Sequence, residues 1–135
     1  MLTHTANINV RYAETDGMGV VYHANYLPWF EVARTELLKN HDLRYRDFET
    51  QGYLIPVLEA SLKYHRPAKY DDDIAVTATI REKPGIRIRI EYEIRRGEER
   101  LVTGHTLHTF IDRTGRPVRP PETFVKKMQQ LFPEE

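Results

Sequence analysis

The stretch from Ile86 to Arg96, IRIRIEYEIRR, constrains the fold of this chain more than any other segment. Ile86, Ile88, Ile90, Tyr92 and Ile94 alternate with Arg87, Arg89, Glu91, Glu93 and Arg95. A period of two places the apolar set on one face of a strand and the charges on the other. Such a strand needs neighbours to pair with and something apolar to cover its inner face. Its charged face reads as solvated strand surface rather than as a nucleic-acid patch.

The same chain supplies both. Residues 3–12 alternate as well, with His4, Ala6, Ile8, Val10 and Tyr12 predicted to point inward. DIAVTATIREK sets Ile74, Val76, Ala78 and Ile80 on one side, and YLIPVLEASLKYH is a broken alternation closed by Pro67. From Leu101 to Ile111 both faces are apolar or uncharged, as in a central strand. KPG (Lys83 to Gly85) and RGEE read as turns. The cover is a helix: Tyr26, Trp29, Phe30, Ala33 and Leu37 recur at spacings of three and four. Asn25 is the expected N-cap, and Pro28 is tolerated in the first turn. RYRDFETQG reads as a short helix or loop, and ETFVKKMQQLF as a terminal helix with Phe124, Met128 and Leu131 on one side. The order is one strand, one long helix and a meander of four strands. That is an α+β fold in which a five-stranded antiparallel sheet wraps one dominant helix, with a short C-terminal helix.

At 135 residues the chain is expected to form one domain, 1–135, with a core that needs no staples. Twenty basic and twenty acidic side chains cancel, so no global field points to nucleic acid or an anionic membrane. The absence of cysteine removes disulfides, thiolate nucleophiles and Cys-based metal sites together. No apolar run reaches the length of a membrane span, and the first ten residues lack a signal-peptide pattern. A soluble cytoplasmic protein is the expectation. His105-x-x-His108 does not read as a metal site, because residues i and i+3 of a strand face opposite ways. Gly17-x-Gly19 lacks the third glycine and the βαβ setting of a dinucleotide fingerprint.

Asp16 stands out by its neighbours. The glycines around it permit a tight turn. The amides of the helix start that follows are free donors with a partial positive charge. A carboxylate and an anion-stabilising amide cluster would then meet beside Tyr12 and the titratable His23, which is what acyl transfer requires. The bland alternative has Asp16 accepting hydrogen bonds within its own turn and His23 as a packing residue. Spacing alone leaves both open.

RYAETDGMGVVYHANYLPWFEVARTELL resembles the signature segment of the hotdog-fold thioesterases of the 4-hydroxybenzoyl-CoA type, above all their bacterial, Tol-Pal-associated acyl-CoA branch. YHRPAKYDD and the closing HTLHTFID fit the same pattern, so the likeness covers most of the chain. It implies hydrolysis of an acyl-CoA thioester with Asp16 as nucleophile or general base. The backbone amide at His23 would be the oxyanion donor, with the His23 side chain and Tyr12 implicated alongside. The substrate-binding set it implies is Gly19, Tyr22, Asn25, Tyr26, Ile55, Val57, Arg66 and Arg116. Arg113, Arg119, Lys63 and Lys69 are further candidates for the CoA phosphates. A catalytic glutamate within the helix, at Glu31 or Glu36, fits less well because Asp16 already matches the first pattern. The resemblance also implies a homo-oligomer, dimer or tetramer, built by edge-to-edge sheet pairing, and no cofactor, since coenzyme A is part of the substrate. Acyl-ACP hydrolysis and non-catalytic thioester binding are the alternatives on the same fold.

Overall fold

A computed structural model describes residues 1–133. Its elements are β1 (Leu2–Asn9), α1 (Tyr26–Lys39), α2 (Tyr45–Thr50), β2 (Val57–Tyr64), β3 (Asp73–Ile80), β4 (Arg87–Arg96), β5 (Glu99–Thr109) and α3 (Glu122–Leu131), with short 3-10 turns at Tyr12–Glu14 and His23–Asn25. The five strands form one antiparallel sheet in the order β1-β3-β4-β5-β2.

Alternation decides which face is covered. Ile74, Val76, Ala78 and Ile80 of β3 and Ile88, Ile90, Tyr92 and Ile94 of β4 are all buried under α1. The α1 stripe meets them with Tyr26, Trp29, Phe30, Ala33 and Leu37, each at most 3% exposed. Phe30 lies flat on Tyr92, ring centroids 4.0 Å apart and planes 3° from parallel. That close approach needs Gly104 on β5: a Cβ there would run into the Ser61 carbonyl and come within 3.1 Å of the Phe30 ring. A second aromatic cluster closes the far end, where Phe110 packs edge-on against Phe48 of α2 and Phe124 of α3.

The strand sequence is not a four-strand meander. β3, β4 and β5 follow one another, but β2 pairs with β5 at the opposite edge from β1. The free side of β3 is already taken by β1, from Leu2 opposite Ile80 to Asn9 opposite Asp73. The segment 65–72 therefore crosses one end of the sheet from the β2 edge to β3. On the way it passes beneath the start of α1, where Ala68 accepts from the Val21 amide and donates its own N–H to the Tyr26 hydroxyl.

Two inward assignments fail at strand ends. Ile86 precedes β4 and is 68% exposed. Tyr12 is 77% exposed, because β1 ends at Asn9 and the chain turns into the 3-10 turn before the alternation can carry that side chain inward. Val10 is the last buried residue of that face.

Candidate active site

The loop between β1 and α1 folds back on itself. Thr15 forms an antiparallel bridge with Val21, and Val20 bridges to Lys69 on the crossing segment. Between those bridges the Asp16 amide donates to the Val20 carbonyl at 2.8 Å. Gly19 takes φ +84°, a conformation that costs a side-chain-bearing residue strain. Asp16 sits at the mouth of this small ring, half-buried. Its Oδ1 accepts the Met18 amide at 2.7 Å and the Val20 amide at 3.3 Å. Among the described residues Oδ2 has no hydrogen-bond partner, so one oxygen orients the carboxylate and the other faces outward.

The helix start lies directly after. The amides of Val21, Tyr22 and Asn25 are taken by the carbonyls of Ala68, Glu14 and Tyr22. Those of His23 and Ala24, the first two residues of the 3-10 turn leading into α1, find no backbone acceptor among the described residues. Asn25 occupies the N-cap position but does not cap. Its side-chain amide donates to the Glu14 carbonyl at 2.8 Å and its oxygen makes no capping hydrogen bond, while the free amides of His23 and Ala24 lie ahead of the cap. Donors of this kind carry the positive end of the helix dipole.

Glu14 holds the loop against the helix. Its carboxylate accepts the Arg11 amide at 2.8 Å and the Trp29 indole N–H at 3.0 Å, and its carbonyl accepts from Tyr22 and Asn25. Burial by itself pushes its carboxyl up. Hydrogen bonds from the Arg11 amide, the Trp29 indole and the Arg11 guanidinium outweigh that and hold it below the ordinary glutamate range.

A cleft of about 210 Å³ opens at the helix start, lined by Val21, His23, Tyr26, Tyr64, His65, Arg66 and Pro67. The His23 ring packs against Tyr22 at 4.6 Å, and the Tyr64 hydroxyl donates to the His23 carbonyl at 3.2 Å. Tyr26 is a wall of this cleft, but its hydroxyl is committed to Ala68. Arg66 reaches the cleft from the crossing segment with a loose contact, 3.7 Å, to Glu99. A larger hollow of about 620 Å³ lies on the outer face of the sheet among Lys63, Thr77, Arg81, Arg89, Glu91 and His105. It is a charged surface across the sheet from α1 and holds neither Asp16 nor the helix start.

The cleft thus brings together His23, Tyr26 and Arg66, with Tyr22 against the His23 ring and Asn25 tied to Glu14, while Asp16 and Gly19 lie in the adjoining loop and do not line it. The structure sets Tyr12 on the outside of the loop, edge-on to Tyr70 at 5.7 Å. Ile55 and Val57 lie at the other end of β2 from Tyr64, about 23 Å away along the strand. Arg116 lies at that other end too, in the Asp112–Arg116 turn beyond β5, and the neighbouring Arg113 donates to the Glu49 carbonyl. Sequence reasoning missed Glu14, Tyr64 and the indole of Trp29. Their partners are long-range, and nothing in the local pattern marks them. His105 and His108 face opposite sides of the sheet as expected: His105 bonds Glu59 outside, and His108 is buried beside Thr106. No group of three or more metal-ligating side chains occurs among the described residues. No helix among them is long and apolar enough to cross a membrane.

Comparison with known proteins places this geometry. Residues 10–128 match the family model of the thioesterase-like superfamily. A Bacillus subtilis relative, YneP, is 45% identical over 87 residues, 64% of this chain and 63% of that protein, so the match spans less than two thirds of its length. The Escherichia coli acyl-CoA thioester hydrolase YbgC is 30% identical over 70% of this chain and 71% of its own. Among solved structures, a DHNA-CoA thioesterase from Staphylococcus aureus superposes with a TM-score of 0.89 at 33% identity, covering 99% of this chain and 95% of that one. The chain belongs to the thioesterase-like superfamily and carries its hotdog fold.

Proposed function

We propose that this chain hydrolyses acyl-CoA thioesters, with the Asp16 carboxylate and the amide at His23 as its working groups. The observation that carries this reading is an oriented, half-exposed carboxylate in the same bridged loop as the uncommitted amides of His23 and Ala24. Asp16 would either attack the thioester carbon or draw a proton from a water that does. In both routes the carbonyl oxygen gains charge, and a preorganised amide at His23 is worth roughly 3–4 kcal/mol to it in the transition state. His23's exposed imidazole would meet the departing thiolate. Names among the relatives support the carrier: the Escherichia coli and Staphylococcus aureus proteins are both described as acting on CoA thioesters.

The scatter of the remaining binding residues supports an edge-to-edge dimer. β2 is an edge strand exposed along its length, and it carries Val57, Leu58 and Tyr64 at 45–51% exposure. An exposed apolar edge is a template for a second strand. Antiparallel pairing of β2 with its two-fold mate would bring the Val57 end of one copy to the Tyr64 end of the other. Ile55, Val57 and Arg116 of one subunit would then complete the cleft at His23 of its partner.

Thiol release from a panel of acyl-CoAs, set beside the same acyl groups on acyl carrier protein, tests the reading. Turnover of CoA thioesters is the expected result. Turnover of carrier-protein thioesters alone would reassign the carrier. Tight binding without thiol release from either would make the protein a thioester-binding module.

A further inference from the structure

Glu14 lies two residues from Asp16, yet its side chain points away from the cleft and into the core. It joins the two arms of the site. On the Asp16 arm, its carboxylate accepts the Arg11 amide as the chain leaves β1. On the helix arm, that carboxylate accepts the indole N–H of Trp29, one turn into α1 and 3% exposed. Its carbonyl takes both the Tyr22 amide and the Asn25 side chain. With the Arg11 guanidinium, five donors from both sides of the loop converge on one residue.

We infer that Glu14 is a positioning residue: by fastening the Asp16 loop to Trp29 and Asn25 it sets the separation between the carboxylate and the free amides of His23 and Ala24. This rests on the hydrolase reading above. The Thr15–Val21 bridge and the Asp16–Val20 and Tyr22–Glu14 backbone hydrogen bonds close the loop on itself, but none of them bonds α1, so they alone would leave the loop free to shift against the helix. The Glu14–Trp29 hydrogen bond removes that freedom, because the indole is locked by its edge-on contact with Tyr26 at 5.2 Å.

The separation matters because a displacement of about an ångström between reacting groups can cost on the order of a hundredfold in rate. Glu14→Ala should therefore lower kcat by about that factor with KM little changed, the signature of an interaction felt in the transition state. Glu14→Gln, which retains one acceptor for the indole, should recover part of the loss. Trp29→Phe removes the donor while filling most of the space. Combined with Glu14→Ala it should cost no more than Glu14→Ala alone, as two halves of one contact must.

Trp29 is the chain's single tryptophan, so its emission reports this contact without any substrate. The emission should shift in Glu14→Ala and much less in Glu14→Gln. The inference is overturned if Glu14→Ala keeps kcat within a few-fold of the wild type, or if the two losses simply add. If the wild-type protein turns over no thioester, the hydrolase reading falls by itself. Emission then decides the contact: a spectrum unchanged by Glu14→Ala overturns the inference, and a shift reversed in Glu14→Gln upholds the fastening of loop to helix.

Discussion

Asp16 gives one oxygen to its own turn and leaves the other without a hydrogen-bond partner among the described residues, so the turn role does not use up the carboxylate. The turn bonds to Met18 and Val20 aim the carboxylate. Gly19 makes that turn possible at φ +84°, and nothing lies within 4 Å of where its Cβ would be. Gly19→Ala should thus cost only backbone strain, about 1–2 kcal/mol, measured as a lowered unfolding midpoint. An unchanged midpoint would show that the loop relaxes freely. Residues of this loop were legible in the sequence as far as their neighbours in the chain could mark them. Asp16, Gly19 and His23 are set by local turn and helix-start chemistry. Tyr12 was misread because alternation continues on paper for three residues after the strand has ended, whereas the Glu14 amide to the Arg11 carbonyl, the Thr15 amide to the Tyr12 carbonyl and the Glu14 carboxylate on the Arg11 amide turn the chain there.

At the scale of elements, the β5 strand threads a polar line through an apolar core. Tyr92 and Thr106 share a hydrogen bond of 2.6 Å, and Thr106 meets His108 Nε2 at 2.7 Å. His108 Nδ1 lies beside the backbone of Ile55 and Pro56 without a hydrogen bond of good geometry. Burial, and then the charge of Arg34, press the His108 pKa from 6.5 down to about 4. The folded imidazole is therefore neutral across that interval, whereas the unfolded one takes up a proton. Stability is complete above pH 6.5 and declines as pH falls towards 4, by about 3 kcal/mol from this group. Urea midpoints at the two ends of the interval should differ by less in His108→Gln than in the wild type; equal declines would place the acid sensitivity elsewhere. The strands and the α1 stripe were readable because each repeats over many residues with one period. The place of β2 was not. Whether a broken alternation lies at an edge or in the middle depends on which partner is already occupied, and β1 settles that by pairing with β3 across a long stretch of chain.

For the whole molecule, the sheet ends on two unlike edges. β1 presents Thr3, Thr5 and Asn7 outward, with threonine pairs bonded across to β3 at 3.1 and 2.8 Å. β2 presents Val57, Leu58 and Tyr64, with the His23 ring edge-on to Tyr64 and Tyr22 against His23. The edge-to-edge dimer proposed above would join the apolar edge to the residues expected to bind substrate at the two ends of that strand. Leu58→Lys, which charges the edge without touching the core, should shift sedimentation from dimer to monomer and take most of the activity with it. A charged edge that leaves both dimer and activity intact would remove β2 from the interface. The sequence carried the expectation of an oligomer by resemblance alone, since an edge strand is defined by what does not pair with it.

The most direct test is thiol release by Asp16→Asn beside the wild type, with thermal unfolding of both. Asparagine keeps an oxygen for the Met18 and Val20 amides, so the loop and the unfolding midpoint should be preserved. It cannot act as nucleophile or base, and turnover should drop by at least about a hundredfold. A folded Asp16→Asn protein that retains most of the wild-type rate would contradict the assignment of this loop as the reaction centre.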